Sequence, residues 1–137
     1  MRQLITFSML TPIAAGFTCL FFACGSGAKC RDLNGRWSTQ EGQDLVFLSE
    51  GKALWLTRFG SHYDTTQLEY RLDCTPNLVS IDLLNFRSGP HSGVTLFGIL
   101  EWSSDTSFRL RYEPGSQADV RPTTFDQEQS IQFIRTK

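Results

Sequence analysis

After residue 32 the chain never sustains an apolar period of 3.6. It breaks instead into runs of five to nine residues punctuated by Gly, Asn, Asp, Ser and Pro. Short runs with period-two alternation are the signature of antiparallel strands. Eight are read here: Leu33–Thr39, Leu45–Ser49, Lys52–Phe59, Gln67–Asp73, Leu78–Phe86, Val94–Trp102, Ser107–Glu113 and Ser130–Thr136. Leu68, Tyr70 and Leu72 share one face while Gln67, Glu69 and Arg71 share the other. Phe108, Leu110 and Tyr112 oppose Arg109 and Arg111 in the same way, and Val79, Ile81 and Leu83 oppose Ser80 and Asp82. Strands of this kind bury one face and wet the other. Eight in up-and-down order close into a barrel, which removes the edges that invite aggregation. The expected fold is therefore all-β: a small up-and-down antiparallel β-barrel of about eight strands.

Turn chemistry supports the breaks. Glu50-Gly51 links the second and third runs as a tight hairpin. Ser88-Gly89-Pro90-His91-Ser92-Gly93 separates the fifth from the sixth, and Ser103-Ser104-Asp105 the sixth from the seventh. Pro114 to Gln129 is one long irregular stretch with room for a short helical turn.

The N-terminal region has a different character. Arg2 is followed by no charge of either sign until Lys29, and the run from Leu4 to Ala23 is largely apolar. A positive start, an apolar stretch and small residues beyond it form a secretory signal pattern. A membrane-spanning helix is the competing reading, but Pro12 and Gly16 interrupt the run. Phe22-Ala23-Cys24-Gly25-Ser26-Gly27 resembles a bacterial lipobox, with Phe21 and Phe22 departing from the favoured Leu and small residue. Lipidation of Cys24 would attach several acyl chains, enough for stable anchoring. Cleavage after Ala28 would instead release a free exported protein. The expected organisation is a lipoprotein-type signal peptide over 1–23, a tether over 24–32 and a barrel domain over 33–137.

The four cysteines fit that division. Cys19 leaves with the signal and Cys24 is the lipid acceptor, so Cys30 and Cys74 remain as a pair bound for an oxidising compartment. A disulfide there closes a loop of roughly 45 residues, worth about 4 kcal/mol in the chain-entropy model. A redox or metal pair is the weaker alternative, since neither Cys has a C-x-x-C partner or a nearby His.

Asn34-Gly35-Arg36-Trp37 resembles the Gly-x-Trp entry of the lipocalin superfamily. The resemblance implies that Trp37 plugs the closed end of the barrel and that Arg135, near the end of the last run, packs across it as a cation–π partner. Tyr70-Arg71-Leu72-Asp73, then Asn77, Ile81 and Asp82, Gly98-Ile99-Leu100 and Arg121-Pro122-Thr123-Thr124-Phe125 resemble an uncharacterised lipocalin-like exported domain expanded in planctomycete bacteria. Leu78 and Leu100 stand where that family usually has Pro and Tyr, and the lipocalin Thr-Asp turn has no counterpart. The resemblance implies the fold and no activity.

Thirteen basic against fourteen acidic residues give a net charge of −1, so no basic field exists to hold nucleic acid. The two His and scattered carboxylates lack zinc or calcium spacing, and no Gly-rich phosphate loop occurs. No metal, cofactor or catalytic residue is expected. Ser61-His62-Tyr63-Asp64 and His91-Ser92 are contiguous in predicted loops, and a triad is a matter of geometry, not contiguity. The chain is accordingly read as not being an enzyme.

Arg121 is a candidate anion contact at the barrel mouth. Its structural alternative has Arg121 pairing with a surface acid, Pro122 stiffening the return loop and Phe125 seating it. Trp55, Trp102 and the many Phe either line an apolar cavity or fill a small barrel. Parity gives Tyr70, Leu72, Phe97, Ile99, Phe108, Leu110 and Tyr112 as candidate ligand-lining residues. Two functional readings remain open. One is an exported, lipid-anchored envelope protein binding a small apolar or amphipathic ligand or lipid. The other is a filled barrel acting as an interaction, assembly or inhibitor module for an envelope protein.

Overall fold

The structure, a computed structural model, describes residues 30–137. The expected signal segment over 1–23, the expected lipidation site Cys24 and the expected tether as far as residue 29 lie outside the described residues.

Eight strands are formed: β1 (Gly35–Ser38), β2 (Gln43–Phe47), β3 (Lys52–Phe59), β4 (His62–Asp73), β5 (Val79–Leu84), β6 (Thr95–Ser104), β7 (Ser107–Gly115) and β8 (Ile131–Arg135). Each pairs antiparallel with its neighbours in chain order, and β1 pairs with β8 to close the barrel. The β2–β3 link is the expected tight hairpin. Glu50 (φ 61°) and Gly51 (φ 71°) are both left-handed there, and the Leu48 N–H bonds to Lys52 O at 2.8 Å. The long β7–β8 connection contains a 3-10 turn at Ala118–Val120.

Two expectations are corrected. β4 begins at His62, five residues earlier than the alternation places it, so His62, Tyr63 and Asp64 are strand residues rather than loop. Phe97 and Ile99 do not face the interior. Their register partners are Glu113 and Arg111 on β7 and Asp82 and Ser80 on β5, all on the outer wall. The inward residues of β6 are Leu96, Gly98, Leu100 and Trp102, opposite Tyr112, Leu110 and Phe108. A Cβ at Gly98 would lie 3.0 Å from Arg111 O and 3.1 Å from Ile81 Cγ2, so no larger residue fits that inward position without displacement.

Phe97 and Ile99 are nevertheless buried, because the β7–β8 connection straps across the outer wall of β5 and β6. Arg121 anchors the strap. Its Nη2 donates to Asp82 Oδ1 at 2.6 Å and its Nη1 to Gly98 O at 2.7 Å, with the guanidinium 5.5 Å from the Phe97 ring centre. Pro122 is buried, and the Phe125 ring stacks 4.2 Å from the Arg109 guanidinium. The expected anion contact of Arg121 at the mouth is thus replaced by an internal carboxylate on the wall, in line with its structural alternative.

The interior is packed at one end. Trp37, Phe47, Phe108 and Phe133 are fully buried together. Trp37 meets Phe108 at 4.8 Å and Trp102 edge-on at 5.5 Å, so Trp102 fills the barrel. The Cys30–Cys74 disulfide, with Cα atoms 5.5 Å apart, ties the segment before β1 to the β4–β5 connection.

Candidate functional site: the barrel mouth

In an up-and-down barrel the odd-to-even connections gather at one end. Here they are the turns at 39–42 and 60–61, the loop 85–94 and the strap. Opposite them, β1 and the last strand seal the other end. Trp37 Nε1 donates to Leu33 O at 2.7 Å, and the Arg135 guanidinium lies 4.3 Å from the indole centre. Arg135 also donates to Asn34 O at 3.0 Å and to Asp32 O at 3.2 Å. The expected Trp37–Arg135 pair is formed, with the indole fully buried beneath the guanidinium.

The mouth is different. A cup of about 270 Å³ opens there. Its floor and walls are Trp55, Thr57 and Phe59 of β3, Asp64 and Thr66 of β4, Gln43 of β2 and Tyr112 of β7. Phe86 and His91 of the 85–94 loop complete it. The loop departs from β5 at Asn85, whose positive φ of 54° suits its side chain. Its amide donates to Glu69 Oε2 at 2.7 Å, and further on Arg87 N bonds to Gln67 O at 3.0 Å. These bonds bring His91 among aromatic rings, with centroids 5.4 Å from Phe86, 5.8 Å from Trp55 and 6.4 Å from Tyr112.

The polar side of the cup is specific. Burial pushes the Tyr112 phenol up, so it stays neutral through the physiological range. Among the described residues Asp64 takes part in no ion pair, and no Lys or Arg lines the cup. Gln43 Oε1 is buried there without a hydrogen-bond partner. A buried amide oxygen left unpaired costs about 1–3 kcal/mol, so it marks a place where a donor is wanted. No three His, Cys, Asp or Glu side chains come together as a metal-ligating group among the described residues.

Of the residues expected to line a ligand space, Tyr112 alone reaches the cup. Phe108 and Leu110 are fully buried in the packed interior. Tyr70 faces inward nearer the closed end, 4.9 Å from Phe47, with its hydroxyl 3.3 Å from Leu48 O, and Leu72 packs below it. Phe97 and Ile99 lie under the strap outside. Parity along β3 (Trp55, Thr57, Phe59) would have located the cup, had polar inward residues been allowed for. No family model, curated protein or solved structure matches the chain.

Proposed function

We propose that this is an exported, lipid-anchored lipocalin-like protein of the bacterial envelope that binds a small amphipathic molecule in the barrel mouth. The cup carries the reading. At about 270 Å³ it stands near the lower end of ligand sites, roughly 300 Å³, and it sets aromatic walls against polar side chains such as Gln43, Thr57, Asp64 and Thr66. An engineered apolar cavity of about 150 Å³ takes benzene, so the cup suits one ring with a short arm rather than a long lipid. The uncharged run from Leu4 to Ala23 and Cys24 support export and anchoring, and the Cys30–Cys74 bridge suits an oxidising compartment.

Native mass spectrometry of the protein purified from its own host's membranes tests both parts. The expected result is a chain beginning at Cys24 with added acyl mass, carrying a small molecule in stoichiometric amount. A chain beginning at Lys29 without acyl mass removes the anchor, and an empty barrel removes the carrier. The packed lower half, with Trp37 and Phe133 fully buried, favours a second reading, a filled barrel that binds an envelope protein. An empty barrel with a stoichiometric protein partner would establish it.

A further inference from the structure

The three kinds of group around the cup point the same way. Trp55, Phe86 and Tyr112 present aromatic rings to one side chain, His91, which the 85–94 loop lays between them. Aromatic faces carry negative charge density and attract cations. Asp64, whose register partner Thr57 also lines the cup, brings a carboxylate with no counter-ion among the described residues. Gln43 Oε1 adds a buried acceptor with no donor. Among the described residues no Lys or Arg lines the cup, so apart from imidazole nothing in its lining answers an anionic guest.

From this we infer that the ligand is a small organic cation, an aromatic or compact alkyl ammonium. Its ring or alkyl body displaces His91 from the aromatic rings, and its N–H groups bond to Asp64 and Gln43. The inference rests on the carrier reading above and narrows it to one charge class. It excludes carboxylates and sulfonates, which would bring a negative charge beside Asp64 without a compensating donor.

Isothermal titration calorimetry with three matched probes tests it on the disulfide-bonded protein: 2-phenylethylamine, 2-phenylethanol and 3-phenylpropanoate. The amine is expected to bind about tenfold or more tighter than the alcohol, the effect of one partly desolvated charge contact, with the carboxylate weakest. Asp64→Asn should shrink the amine's advantage over the alcohol to about twofold or less, and the variant should fold as the parent does because Asp64 is exposed. Gln43→Leu should weaken the amine without reversing the order. Equal binding of amine and alcohol, preference for the carboxylate, or an Asp64→Asn variant that keeps the full amine preference would overturn the cation assignment and leave the carrier standing. No heat from any of the three overturns both.

Discussion

At the closed end Trp37 is wholly buried under Arg135, bonded to Leu33 O and wedged against Trp102 and Phe108. At the mouth Phe59 is 54% exposed, and His91 rests among rings without sealing them. The same strands run through both ends, so the difference is one of side chains alone. The lower half spends its interior on aromatic packing, which fixes the barrel. The upper half leaves its inward positions to Thr57, Asp64 and Thr66, which line the open cup. Packing and open space are therefore separated along the barrel axis, and substitutions should sort by height.

The largest effect is expected from Trp37→Ala, which removes a fully buried indole, its hydrogen bond and the Arg135 contact. About 5 kcal/mol of unfolding free energy should be lost, read by urea titration, against the 3–5 kcal/mol usual for such truncations. Loss of the Cys30–Cys74 bridge in a double Ala variant should cost about 4 kcal/mol from loop-closure entropy, measured the same way. Arg135→Leu should cost about 1 kcal/mol, since it loses a cation–π contact and two bonds to Asn34 O and Asp32 O in an exposed setting. Phe59→Ala at the mouth should stay within about 0.5 kcal/mol while weakening probe binding. A large loss of stability at Phe59, or a small one at Trp37, would break the division between the two ends.

The strand layout was legible because each turn announced itself, as at Glu50-Gly51, and because Leu68-Tyr70-Leu72 alternated cleanly. The failures have physical causes. At His62 to Thr66 the inward residues are His, Asp and Thr because they face the open mouth, so the hydrophobic alternation that marks a strand vanishes. In β6 the strap covers the outer wall, so Phe97 and Ile99 are as apolar as their inward neighbours and parity loses its sign. Gly98 hides the inward stripe further by contributing no side chain. The site was therefore read one layer too deep and partly on the wrong face. Trp37 and Arg135 were legible through their resemblance to a known closing pair.

The β1–β8 seam has a consequence for how the chain assembles. Every other strand pairs with its neighbour in sequence, so each of those pairings closes only the loop between consecutive strands. Among the strand pairings the seam alone joins residues far apart in sequence, with Trp37 opposite Arg135. As the chain is made N-terminus first, β1 keeps one open edge until β8 has emerged. A product truncated before Ile131 would leave one edge each of β1 and β7 without a partner strand, and such exposed edges recruit other chains. The five residues of β8 are the clasp that covers both of those edges.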